Sequence, residues 1–107
     1  MKYVFHPTAL TEYGEAVKFY AERRVELAQA FINTVEDTIF RIIQSPTRWA
    51  VIDEDIRRCL TRKFPYGILY TIEEDYILIL AVMHCSREPG YWKERVKEKP
   101  SGEETEL

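Results

Sequence analysis

His84, Arg87 and Tyr91 follow one another closely near the C-terminal end of the chain, with Trp92 and Arg95 just beyond them. Arg57, Arg58, Arg62 and Lys63 form a basic run some twenty positions earlier. Together these residue types could cleave RNA. That reaction needs a base to take the 2′-hydroxyl proton, a cation to stabilise the phosphorane and an acid to protonate the leaving oxygen. His84 suits the base or acid role, because imidazole titrates near neutrality. Arg87, Arg58 or Arg62 could grip the phosphate with two parallel N–H donors. Tyr91 could serve as the acid, or stack on a base.

The same residues allow plainer readings. The His84 ring could close a hydrogen bond under the loop that carries Arg87. Arg58 and Arg62 could be a solvated strand face paired with carboxylates such as Glu73. Tyr91 and Trp92 could be a lid on the end of the core. Lys93, Arg95, Lys97 and Lys99 interleave with Glu94 and Glu98, the pattern of a solvated face. Trp49 is either a partner contact or a plug in the core.

The elements that must position these groups are legible in the hydropathy pattern. Tyr3, Val4 and Phe5 favour a short first strand over Lys2 to His6. Pro7 suits a first helical position, where its missing N–H costs nothing. Glu12 and Glu15 are read as complementing the helix dipole. Leu10, Tyr13, Val17 and Tyr20 form one apolar stripe at helical spacing. Leu27, Phe31, Val35, Ile39 and Ile42 form a second, widened by Ile32 and Ile43, and Pro46 stops it after Gln44 and Ser45. A single helix from Pro7 to Gln44 would be unusually long, so the spacing predicts a helical hairpin broken near Glu22 to Glu26.

Ser45 to Glu54 reads as a loop. Three strands follow: Ile56 to Arg62, Tyr66 to Glu73 and Tyr76 to Cys85. The last is apolar on both faces, with Leu78, Leu80 and Val82 on one and Ile77, Ile79, Ala81 and Met83 on the other, so it is central. The polar turn Glu73-Glu74-Asp75 is short enough to make the last two antiparallel. Pro89-Gly90 breaks the chain, and Tyr91 to Lys97 has room for one helical turn. The fold class is therefore α+β: an N-terminal strand, a helical hairpin and a three-stranded antiparallel β-meander, with the helices packed on one sheet face. Two helix stripes cover only one face, which leaves the other, or its rim, open.

Composition bounds the rest. The chain has 107 residues, enough for one domain, placed at 1–99, followed by an acidic tail at 100–107 that is expected to be mobile. There is no apolar N-terminal signal region and no span long enough to cross a membrane, which points to the cytoplasm. Cys59 and Cys85 lack metal-ligand spacing and read as free thiols, so neither a metal nor a cofactor is implied. The net charge of -3 argues against a protein whose main task is clamping nucleic-acid phosphates. Its positive charge is nonetheless concentrated in the segment from Arg57 to Lys99.

One combination of motifs is specific. Arg57-Arg58, then Phe64-Pro65-Tyr66-Gly67-Ile68-Leu69-Tyr70, then Ile77 to His84, then Arg87-Glu88-Pro89-Gly90-Tyr91-Trp92 resembles the RelE/ParE superfamily of toxins. The opening Phe5-His6-Pro7-Thr8-Ala9 and the helix up to Pro46 are similar to its N-terminal half. These are toxins of type II toxin–antitoxin systems, also called plasmid stabilisation proteins. The resemblance implies a cognate antitoxin as partner: a small DNA-binding dimer with an amphipathic C-terminal segment that folds on the toxin. It leaves two activities. ParE-like members block DNA gyrase by binding it; RelE-like members are ribosome-dependent mRNA endonucleases. The Phe-Pro-Tyr and Pro-x-Tyr-Trp signatures and the acidic balance favour the ParE-like branch. Under that branch Arg57, Arg58, Arg62, Lys63, Trp92 and Arg95 are the expected partner-binding residues. Under the nuclease branch His84, Arg87, Tyr91, Arg58 and Arg62 are the expected catalytic ones.

Overall fold

The first turn of the first helix shows how local chemistry sets the chain direction. The His6 Nδ1 accepts the Thr8 N–H at 3.1 Å, and Pro7 takes the first helical position. The structure, a computed structural model, describes residues 1–98; the tail expected to be mobile lies outside the described residues. The elements are β1 (Lys2–Phe5), α1 (Pro7–Arg23), α2 (Val25–Gln44), β2 (Ala50–Asp53), β3 (Ile56–Leu60), β4 (Tyr66–Ile72), β5 (Tyr76–His84) and a 3₁₀ segment, Lys93–Glu98. Among the described residues no helix is long and apolar enough to cross a membrane.

The helical hairpin breaks at one residue. Arg24 is extended, at φ -159° and ψ 136°, and its N–H still donates to Tyr20 O at 2.9 Å. An extended residue needs neither glycine nor proline, which is why the break leaves no mark in the sequence. α1 packs through Ala9 and Ala16, both buried, flanked by Tyr13, Val17 and Tyr20. Leu10, expected in that stripe, is exposed instead. The two alanines let the helix backbone lie close to β5, and a leucine there would hold it off.

The sheet runs β1-β5-β4-β3-β2, with β1 parallel to β5 and the other pairs antiparallel. The segment read as a loop thus contains an edge strand, β2, which pairs Ala50 with Arg58 and Val51 with Arg57. Its register shifts between Val51 and Asp53, and the chain turns at Glu54 with φ 48°. Four residues with an irregular register carry too little alternation to be read as a strand.

β5 holds a second irregularity. Leu69 pairs with Ala81, but the next residue, Tyr70, pairs with Ile79, so Leu80 is an extra residue in the ladder. This bulge inverts the alternation expected for β5. Leu78, Leu80, Ala81 and Met83 lie together on one face, while Ile77, Ile79 and Val82 lie on the other. The helices cover the second of these faces. There Phe31 sits among Tyr20, Phe64 and Tyr66, with ring centroids 4.9 to 5.2 Å away. The opposite face is not left bare: Trp92, Tyr91 and Val96 fold over Ile56, Leu69, Leu78 and Leu80. Trp49 also packs on the helix-side core, and its indole N–H donates to Arg41 O at 3.4 Å.

Two core tyrosines are buried enough to raise their phenol pKa, which fixes an alkaline limit. Burial pushes Tyr70 up to about 12, and its hydroxyl donates to Pro46 O at 2.5 Å. Burial and then the Glu36 charge push Tyr13 up to about 12. In the unfolded chain these phenols ionise near about 10. The unfolded state therefore loses protons first as pH rises, and stability falls through that window. The melting temperature is expected to hold up to pH about 10 and drop between about 10 and 12, with phenolate absorbance delayed in the folded protein. A flat melting profile across that range would contradict this burial.

Candidate functional site

The three residues near the end of β5 do converge. His84 ends the strand on the helix-side face, its ring edge-on to Tyr66 with centroids 5.1 Å apart. The Leu80 bulge puts it there, since uninterrupted alternation would have pointed it to the opposite face. Arg87 N–H donates to His84 O at 2.9 Å, closing the turn. Its guanidinium carbon lies 3.9 Å from the centre of the Tyr91 ring, a cation–π contact. His84, Arg87 and Tyr91 line a groove of about 300 Å³ with Tyr66, Glu12, Glu15 and Phe19 of α1.

Their hydrogen bonds limit what this trio can do. His84 Nδ1 accepts the backbone N–H of Ser86 at 3.1 Å, with Ser86 Oγ 2.7 Å away. A backbone N–H can only donate, so Nδ1 is the acceptor and the neutral ring carries its proton on Nε2. The lone pair a general base would use is already engaged. Tyr91 donates its hydroxyl proton to Glu12 Oε2 at 2.6 Å. Burial, and then that bond and the Glu12 charge, hold the phenol well above its ordinary range. It is poorly placed to protonate a leaving oxygen.

Glu12, read from sequence as a dipole partner, turns out to be the hub. Arg95 grips it with two bonds, Nη1 to Oε1 at 2.8 Å and Nη2 to Oε2 at 2.9 Å. Val82 N–H donates to Oε1 at 3.1 Å, and Arg95 Nη1 also reaches Leu80 O at 3.2 Å. β1 pairs only with the first part of β5. Beyond it, Glu12 and Arg95 side chains satisfy backbone groups of the uncovered edge. A signal was present: Glu12 lies between the buried Ala9 and Ala16 at helical spacing, so a carboxylate there needs a partner.

The basic run does not join the groove. Arg57 Nη1 donates to Thr47 O at 2.9 Å and Trp49 O at 2.7 Å, tying the loop after α2 to β3. Arg58 pairs with Leu69 and so shares the face opposite His84. Its stem crosses Gly67, where an added Cβ would sit 3.3 Å from its Cγ and Cδ. Arg62 Nη1 lies 4.0 Å from Asp37 Oδ2. Lys63 is exposed in a left-handed turn at φ 70°. The five expected catalytic residues are therefore split, with Arg58 and Arg62 away from the other three. Of the expected partner-binding residues, Arg58, Arg62 and Lys63 are exposed, whereas Trp92 is buried and Arg57 and Arg95 are bonded inward. Both cysteines are free, as their spacing suggested; Cys59 is buried and Cys85 is exposed. Replacing Arg57 by Ala is expected to cost about 1–3 kcal/mol, seen as a lower urea midpoint at unchanged slope. No change in midpoint would show that the two carbonyls need no donor.

The sequence profile described as the ParE toxin of the type II toxin–antitoxin system, parDE, matches residues 3–89. The chain belongs to the ParE toxin family. Its fold is similar to a solved chain described as the chromosomal ParDE TA system from P. aeruginosa, with a TM-score of 0.69. The two are 14% identical over 78% of this chain and 95% of that one, a likeness of fold alone. A comparison with curated proteins gives no match. The matched span of the ParE family runs from β1 to the Pro89 turn and so includes His84 and Arg87, with Tyr91 and Arg95 just past its end.

Proposed function

We propose that this ParE family member is the toxin of a type II toxin–antitoxin pair, that it acts by binding DNA gyrase, and that a cognate antitoxin neutralises it. The carrying observation is the engaged state of the groove residues. His84 Nδ1 accepts Ser86 N–H and the Tyr91 hydroxyl is committed to Glu12, so the ring's lone pair and the phenol proton are both already engaged. What remains outward is a surface of contact groups: the Arg87 guanidinium, and Phe19 at 46% exposure with the Arg23 guanidinium 3.6 Å from its ring centre. Aromatic and arginine side chains of this kind carry protein interfaces. The cytoplasm is where such a target would be met.

Purified protein is expected to inhibit gyrase supercoiling at micromolar concentration, and its expression to arrest growth unless an antitoxin is co-expressed. Growth arrest without gyrase inhibition would sink the gyrase target while leaving the toxin. A ribosome-dependent endoribonuclease is the second reading, favoured by the convergence of His84, Arg87 and Tyr91 on one groove. It requires translation-dependent cuts in mRNA on induction.

A further inference from the structure

Arg87 is exposed, yet its guanidinium has a resting place. Among the described residues no carboxylate pairs with it. Its guanidinium carbon sits 3.9 Å from the centre of the Tyr91 ring. A long side chain that is free in solution must be ordered when a partner binds, and that ordering costs affinity. The ring takes up part of that cost beforehand. Whatever fixes the ring therefore also fixes the guanidinium.

The ring's support can be followed contact by contact from the sheet. Val82 N–H, on β5, donates to Glu12 Oε1 at 3.1 Å. The Tyr91 hydroxyl donates to Oε2 at 2.6 Å. Arg95 donates to both oxygens, at 2.8 and 2.9 Å. A carboxylate offers about four lone-pair sites, and these four donors fill them. Glu12 lines the groove, but its oxygens have nothing left for a partner. Its charge has a separate task. Arg95 also lies near the Tyr91 ring, 5.0 Å from its centre, so two guanidiniums share one ring. Uncompensated, they would repel each other. The two-bonded pair with Glu12 neutralises Arg95 and leaves Arg87 unopposed on the ring.

We propose that Glu12 is a positioning residue for target binding: it fixes the Tyr91 phenol, and the Tyr91 ring holds the Arg87 guanidinium in its outward pose at the groove. This rests on reading Arg87 as a contact group of a protein-binding toxin, and it adds how that contact is kept ready. Freeing the guanidinium is expected to weaken the target contact by about 2–10-fold, the usual cost of ordering one long side chain.

Two variants cut the link at different points. Tyr91→Phe keeps the ring and removes its tie to Glu12. Glu12→Gln leaves one acceptor oxygen for the same donors and removes the charge that balances Arg95. Relaxation of the Arg87 side-chain Nε–H, followed by NMR in the full chain, reads the pose directly. Arg62, well exposed and 4.0 Å from Asp37 Oδ2, is the reference. In the parent, Arg87 is expected to be restrained relative to Arg62; in both variants, with folding checked by thermal melt, it is expected to be about as mobile as Arg62. The expression level needed for growth arrest is expected to rise about 2–10-fold in each variant. It is expected to rise no further when either change is added to Arg87→Ala. If Glu12→Gln does not fold, Tyr91→Phe decides alone. Arg87 equally restrained in Tyr91→Phe and in the parent would overturn the proposal. So would the same fold-rise with and without the Arg87 side chain, which is what a merely structural network gives. A harmless parent whose Arg87 still loosens in the variants rejects the toxin reading and keeps the positioning.

Discussion

Replacing Glu12 by Ala is expected to destabilise the protein by about 3–5 kcal/mol, the cost of removing one partner from a buried ion pair. The Glu12 and Arg95 side chains are only 13% and 12% exposed, so solvent cannot stand in for the lost carboxylate. The substitution removes the acceptor from four donors at once, the two terminal Arg95 nitrogens, the Tyr91 hydroxyl and the Val82 N–H, and leaves only Arg95 Nη1 with another partner, Leu80 O. It also releases the segment that closes the second face, since Tyr91 and Arg95 are its ties to α1. Glu12→Gln keeps one acceptor oxygen and is expected to lose less. Urea unfolding at neutral pH distinguishes the two. A Glu12→Ala variant within about 0.5 kcal/mol of the parent would mean the network contributes no more than a surface pair. Arg95→Ala should be milder than Glu12→Ala, because it leaves a carboxylate still bonded to Tyr91 and Val82.

The second large effect separates the two readings of function by magnitude. If the groove binds a protein target, His84→Ala removes a half-buried ring at the edge of a contact. Toxicity and target affinity are then expected to fall by about tenfold or less, as for most interface positions. If His84 is a general base or acid, the loss is about 10²–10⁴-fold in rate, enough to abolish arrest. Arg87→Glu is the complementary variant. Reversing an exposed cation that lines the groove is expected to weaken partner binding well beyond the effect of Arg87→Ala. Growth arrest titrated against expression level, with folding checked by thermal melt, measures both. A folded His84→Ala variant that is harmless at every expression level would reject the binding reading.

How much of this was legible in the sequence differs from element to element. The α2 stripe from Leu27 to Ile42 was readable because one face of a helix repeats its demand for apolar residues every turn. The order of strands and helices followed from the same logic. β2 escaped because four residues on an edge bury little and pair irregularly. The break was placed near Glu22 to Glu26 by helix length alone and falls at Arg24, where no residue type marks it because any residue can be extended. Glu12 escaped for a different reason: its partners lie 70, 79 and 83 positions away, beyond any local pattern. The grouping of His84, Arg87 and Tyr91 was visible as nearness in sequence, but the engagement of their polar atoms was not. Arg58 and Arg62 were joined to that group by residue type, which says nothing about which face a neighbouring strand presents after a bulge.

That extra residue in β5 also sets how roles are to be carried between relatives. Every position from Ile77 to Met83 is apolar and buried, so gaining or losing one residue there would leave hydropathy unchanged. It would nevertheless exchange the addresses of Val82 and His84 with those of Ala81 and Met83. Among proteins that share this fold at 14% identity, an alignment that slides by one place inside this strand scores almost the same. Yet it assigns the histidine to the wrong side of the sheet. Placing the gap opposite Leu80 is therefore the step on which any transfer of functional residues to or from this chain depends.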